Sequence, residues 1–422
     1  MINSRNPSRR DLVKLGGQGL AAVAAGSLGL SALAQDAKKL TVISDRSNPN
    51  TQATLAAIAK AFEKETGVSV TINFIPLEAH KTAIRNYLVV GPPDVCFWFS
   101  GNRMRSFVKM GLFDDISDLF AKEKYLNVLG LAAEAVTVDR KQWGLPTHGM
   151  PWGLVYRKDV FAENGLTVPR TFADFKIMGD KAKTSGLVPM AMGTKDMWPA
   201  AGWFDHLNLR INGLDRHMSL MNGEMSYQDP QLTPVFDRWE ELIKANFFLP
   251  NSTSFGWQQA GAFLVQKKAA MMNLPPFVQN IFPENERSLL GFAPFPEIVP
   301  GVGPFENISY NSIHIPSGSK NKGLARDFLA FFYRPENLVQ FLKSEVGLSP
   351  RNDVKEPPNV LLDQAREAFK NIKGSAQFYD RDTDPDMAQV GLNAFQEFMV
   401  APERRKTIQE RLEAARKRIY KT

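Results

Sequence analysis

The chain reads first as an alternation of two hydrophobic periods. Lys38 to Ser44 (KKLTVIS) is a short apolar run closed by the breakers of DRSNPN, and it predicts a buried strand. Leu55, Ile58, Ala59 and Phe62 then recur at i, i+3, i+4 and i+7, which is one face of a helix, and Gly67 follows as a stop signal. Val68, Val70, Ile72 and Phe74 switch to strand alternation. Ala83, Ile84, Tyr87 and Leu88 return to helical spacing before Gly91-Pro92-Pro93, and DVCFWF predicts a third strand. Strand, helix, strand, helix, strand predicts a parallel sheet covered by helices, whose ligands bind beyond the carboxyl ends of the strands. The loops Asp45–Asn48 and Trp98–Arg103 both fall at such ends.

Further along, Gly153 to Arg157 predicts a strand after a break. Phe263 to Met272 predicts a helix or a strand, and GFAPFPEIVPGVGPF is loop-rich, with its prolines closely spaced. SIHIP predicts a strand. KGLARDFLAFFY predicts a helix with Leu324, Phe328, Leu329 and Phe332 inward. Ile408, Leu412, Ala415 and Ile419 mark a last helix whose basic flank reads as a solvated face.

At 422 residues the chain exceeds one ordinary core, so two domains are expected. The 44% apolar and 23% charged content is that of a globular protein. The N-terminus adds an address. Arg9 and Arg10 precede an uncharged Gly- and Ala-rich stretch from Leu15 to Leu33, ending in Ala32-Leu33-Ala34. This pattern resembles a twin-arginine (Tat) export signal with a small-residue cleavage site, expected to be removed by residue 34. The signal holds four cations and one acid, so the formal charge of +7 falls to about +4 in the mature chain. That excess does not call for nucleic acid. Cys96, the single cysteine, excludes an internal disulfide. The five histidines show no metal-ligand spacing, and no cofactor is expected.

In their order, KLTVISD with AFEKETGVSV, PPDVCFWFSGNRMRSFVKMGLFDDISDLF, WGLPTHGMPWGLVYRKDVFAENGL, AFLVQKKAAMM, GFAPFPEI and SKNKGLARDFLAFF resemble the extracellular solute-binding proteins of carbohydrate ABC importers, a maltose-binding-protein-like family. The likeness spans essentially the whole mature chain. It implies an α/β, two-lobed periplasmic-binding-protein fold, each lobe a sheet flanked by helices, with a ligand cleft between lobes. It places lobe 1 at 35–146 plus 308–347 and lobe 2 at 147–307 plus 348–422. It implies a monomeric periplasmic receptor, not an enzyme, which binds a sugar and hands it to the transmembrane permease subunits after export by the Tat machinery.

Site candidates follow, some with two readings. Asp45 and Arg46 pair an acceptor with a planar donor, as sugar hydroxyls require, although an Asp turn also needs no ligand. By resemblance Trp98 is a sugar-stacking ring, where about 100 Å² of ring face gives roughly 2–3 kcal/mol. Trp98 equally continues an apolar run and fits a core. Strand alternation assigns Phe97 and Phe99 to the core and Trp98 to the crevice. Asn102 and Arg103 resemble the polar pair that follows that tryptophan. His148, Met150 and Trp152 fall on the first crossing, and Met150 stands where the relatives often carry an acid. Trp198, Trp203 and Trp257 are candidate platforms of the second lobe. Asn311 borders the second crossing, and Arg351 follows the third.

Two other classes compete. A glycosidase needs two carboxyls facing one bond, and no spacing selects among Asp45, Glu78 and Asp205. A receptor for glycerol phosphate or a charged sugar would use Arg46, Arg103 and Arg351 for the anion.

Overall fold

The computed structural model describes residues 38–421, so the twin-arginine segment lies outside the described residues. The first strands are β1 (Lys39–Ser44), β2 (Ser69–Phe74) and β3 (Val95–Phe99). β1 lies between β2 and β3 and is parallel to both, as the alternating periods predict. The helix Pro49–Thr66 that joins β1 to β2 starts on an Asn48 side-chain cap and ends at Gly67, whose φ of 71° suits a residue without Cβ. It buries Leu55, Ile58, Ala59 and Phe62. The helix Leu77–Val90 joins β2 to β3 and buries His80, Ile84 and Leu88.

A small ribbon, β4 (Thr137–Val138) with β5 (Lys141–Gln142), precedes β6 (Leu145–Pro151) and β7 (Gly153–Arg157). The remaining strands are β8 (Val188–Met190), β9 (Ala269–Leu274), β10 (Leu290–Ala293), β11 (Phe305–His314) and β12 (Gly374–Ala376). The first sheet runs β12-β11-β3-β1-β2, with β6 paired to β11; the second runs β10-β7-β9-β8. The segment expected as helix or strand resolves into a helix, Trp257–Val265, and then β9. The proline-rich stretch opens on β10 before its loops.

Each sheet has its own core. Leu40, Val42, Phe97, Ile313, Phe328 and Phe341 belong to the first. Leu154, Phe175, Trp203, Phe236, Tyr379 and Phe395 belong to the second. A third cluster adds Met150, Trp152, Ile308 and Leu361. β6 and β11 form an antiparallel pair that runs between these regions. Leu145 and Ile313 sit in the first core, while Met150 and Ile308 sit in the third cluster. Val354 packs in the first core, and Leu361 is the next buried apolar residue in the third cluster. Among the described residues no helix is long and apolar enough to cross a membrane.

Candidate functional site

A cavity of about 710 Å³ is lined by residues from the elements of both sheets. Its near wall consists of the residues that follow three parallel strands: Asp45 and Arg46 after β1, Pro76 and Leu77 after β2, and Phe99 at the end of β3. This is where a parallel sheet leaves backbone groups unpaired and open to a ligand. The β6–β11 pair supplies the floor through His148, Met150 and Asn311, and Trp152 follows β6. The far wall holds Asp196, Trp198, Trp257 and Phe277, and the turn after β12 contributes Phe378, Asp380 and Arg381.

The buried end is a charge network. Arg46 donates from Nε and Nη2 to the two oxygens of Asp45 at 2.8 and 2.9 Å, and from Nη1 to Glu345 at 2.9 Å. Burial alone would raise both carboxyls, but the Arg46 guanidinium outweighs it and holds them below their ordinary values. His148 Nε2 lies 3.6 Å from Glu345 and 3.2 Å from Asn311 Nδ2. Burial lowers this imidazole to about 4, so it is neutral at pH 7 and its Nε2 can accept from the Asn311 amide.

Arg381 is held differently. Its guanidinium lies over Phe99 and Phe378, 4.2 and 4.8 Å from the ring centroids. Nη1 donates to Ser309 Oγ at 2.8 Å and Asn311 Oδ1 at 3.1 Å. Burial brings it down to about 10, still cationic at neutral pH. Two stacking faces and two anchors offset the desolvation of this charge. One edge of the fork is thereby fixed, and the side chain lines the cavity.

The aromatic part is equally constrained. Trp152 packs edge-on against Trp198 and Phe378, with centroids 5.7 and 4.6 Å away. It is also braced by Gly202, where an added Cβ would collide with the indole at Cη2. Trp257 opens its helix. Asp196 accepts from its backbone N–H at 3.1 Å, and Gln259 accepts from the N–H of Gly256 at 2.9 Å. The Trp257 ring stands edge-to-face with Phe277 at 5.1 Å.

The structure brings eight of the expected residues to this cavity: Asp45, Arg46, His148, Met150, Trp152, Trp198, Trp257 and Asn311. The other five lie elsewhere. Trp98 is 1% exposed and packs against His80, Phe99 and Phe107, inside the first core. β3 lies between β1 and β11 with helices on both faces, so alternation along it separates one core face from another rather than core from cleft. Phe99, expected in the core, is the residue that reaches the cavity, because the strand ends there. Asn102 donates from Nδ2 to the carbonyl of Asp382, and Arg103 donates from Nε to the carbonyl of Asp380 at 2.6 Å. Both tie their helix to the Asp380 turn instead of facing the cavity. Trp203 is fully buried among Phe175, Phe248 and Phe295. Arg351 lies against the first core, bidentate to Asp353 and near the rings of Tyr125 and Tyr333. Sequence reading missed Glu345, Phe378, Asp380 and Arg381. FYDRD carries no period and looks like a solvated turn; its only signal is the aromatic pair beside the charges. Among the described residues no group of three or more His, Cys, Asp or Glu side chains can hold a metal.

Comparison with known proteins matches this architecture. The family model for the bacterial extracellular solute-binding protein fits residues 47–338. An uncharacterized ABC transporter extracellular-binding protein of Pyrococcus horikoshii is 22% identical over 325 residues, 72% of this chain and 69% of that one. The multiple sugar-binding protein of Streptococcus mutans is 24% identical over 213 residues, 49% of either chain. The solved structure of the bacterial solute receptor AcbH, described with an exclusive preference for β-D-galactopyranose, superposes with a TM-score of 0.85 at 31% identity, covering 91% of this chain and all of that one. With the β-α-β wall, the paired crossing strands and the cavity lined from both sheets in place, the chain belongs to the family of bacterial extracellular solute-binding proteins.

Proposed function

We propose that this chain is the periplasmic, monomeric sugar receptor of an ABC importer, exported by the Tat route and delivering a neutral saccharide to the permease. Its lobes would divide at the β6–β11 pair and between Val354 and Leu361, and would close on the ligand by bending there. A ligand drives closure only through contacts with both lobes, and this cavity is walled by both sheets.

The observation that carries the reading is the pairing of a charge-balanced buried end with aromatic walls. At that end Asp45, Glu345 and Asp380 line the cavity with Arg46 and Arg381, and Arg103, behind the wall, is the third guanidinium, 3.9 Å from Asp380. A phosphate or carboxylate added there would leave buried charge uncompensated. Hydroxyl groups, which donate and accept together, suit such a network, and the CH face of a pyranose suits Trp152, Trp198 and Phe99. The anionic-solute reading relied on Arg46, Arg103 and Arg351, and each already has an acceptor within the protein. The family is one of binding proteins rather than enzymes. The cavity volume lies within the roughly 300–1,000 Å³ of small-molecule sites.

The test is a thermal-shift and calorimetric panel that starts with D-galactose, glucose, mannose and their disaccharides, beside glycerol 3-phosphate and glucuronate. A bound neutral sugar at 100 to 1,000 times its Kd raises stability by about 3–4 kcal/mol. Tighter binding of an anion than of its neutral parent overturns the reading.

A further inference from the structure

The cavity has a graded interior. Asp45, Arg46, His148, Asn311, Phe378 and Arg381 are buried, and the polar side chains among them are bonded to one another, Asp45 to Arg46 and Asn311 to both His148 and Arg381. Toward the outside the lining changes. Trp257, Phe277 and Ile281 from the second lobe and Leu77 from the first are half-buried, while Gln258 and Asn280 beside them are exposed. The rim is built and not incidental. Asp196 and Gln259 both anchor the start of the Trp257 helix, and Phe277 braces the ring edge-on.

We infer that the ligand has at least two rings: one pyranose in the buried polar end, and a second stacked at the rim on Trp257, with Gln258 and Asn280 beside it. This rests on the sugar-receptor reading and adds the ligand's length. An apolar platform flanked by two amide side chains matches a second pyranose, which offers a CH face and a hydroxyl rim. The inference separates this chain from AcbH, whose described preference is a single galactopyranose.

The test is calorimetry on matched pairs: galactose with lactose and melibiose, glucose with maltose and cellobiose, xylose with xylobiose. The disaccharide of one pair is expected to bind at least tenfold tighter than its monosaccharide. Trp257→Ala should weaken the disaccharide at least tenfold more than its monosaccharide, removing that gain. Equal affinity for a monosaccharide and its disaccharides overturns the inference and leaves the sugar reading standing. Equal weakening of both members by Trp257→Ala also overturns it, since the rim would then act through lobe closure. Binding of no pair removes the sugar reading, and this inference with it. Far-ultraviolet circular dichroism confirms that the variant is folded; Phe277→Ala, which unseats the ring without removing it, should reproduce the selective loss at smaller size.

Discussion

The two walls of the cavity are made from different chemistry. The first sheet presents ions and amides that are already bonded to one another: Asp45 to Arg46, Arg46 to Glu345, Asn311 to His148 and Arg381. The second presents tryptophans whose backbones and edges are pinned: Trp198, Trp257 and, at the junction, Trp152. Fixed donors and acceptors select by orientation, since a misplaced hydroxyl leaves a buried group unpaired. Rings contribute area and tolerate rotation about the stacking axis. Affinity and selectivity are therefore separable here, and substitution on either wall should show which it supplies.

The largest effect is expected at Arg381. Arg381→Met removes the guanidinium that lines the buried end, and two charged hydrogen bonds to a ligand are worth about 3–6 kcal/mol. Sugar affinity should fall at least a hundredfold by calorimetry, with Arg381→Lys recovering only part, because an ammonium lacks the planar fork. Trp98→Ala is expected to act almost wholly on the fold. A fully enclosed tryptophan costs about 3–5 kcal/mol when truncated, so urea unfolding should shift strongly while the folded fraction binds within about twofold of the parent. Trp198→Ala should reverse that pattern, losing roughly 10–30-fold in affinity through about 1.5–2 kcal/mol of stacked area and much less in stability. A ligand loss at Trp98 larger than at Trp198 would sink the division drawn above.

The last effect is on stability alone, through pH. Burial holds His148 at about 4 when folded, below its ordinary 6.5. Between those values the unfolded chain binds the extra proton, so this stability is present above pH 6.5 and is lost as pH falls toward 4, at about 1.4 kcal/mol per unit. Glu306 has the opposite sign. Burial raises it to about 7, against the nearby Arg210, so its contribution is present below the ordinary carboxyl value and is lost as pH rises through 7. His148→Gln should flatten the acid limb by the equivalent of one proton in melts recorded from pH 4 to 7. An unchanged slope would mean that the imidazole is not held neutral.

The first sheet was legible because its periods are strong. Leu55, Ile58, Ala59 and Phe62 are buried together, and β1, β2 and β3 pair as the alternation implies. The strand-end rule located Asp45 and Arg46 for the same reason. Trp98 was misread because period two tells which side of a sheet a residue takes, and here both sides are core. Arg381 was invisible because its surroundings come from elements far apart in sequence: Phe99, Ser309 and Asn311. Arg103 and Arg351 were plausible as anion readers until the structure showed their acceptors, which a linear pattern does not reveal.

Gly202 has a consequence for how such a receptor changes its diet. Its bare backbone is what lets the Trp152 indole lie back against the helix Trp198–Met221. Any side chain there has to push the ring away from the helix. A single methyl group, remote from every hydroxyl-binding atom, would thus reset the depth of the chamber. Ligand size in this protein can drift by one nucleotide change while the polar recognition surface stays as it is.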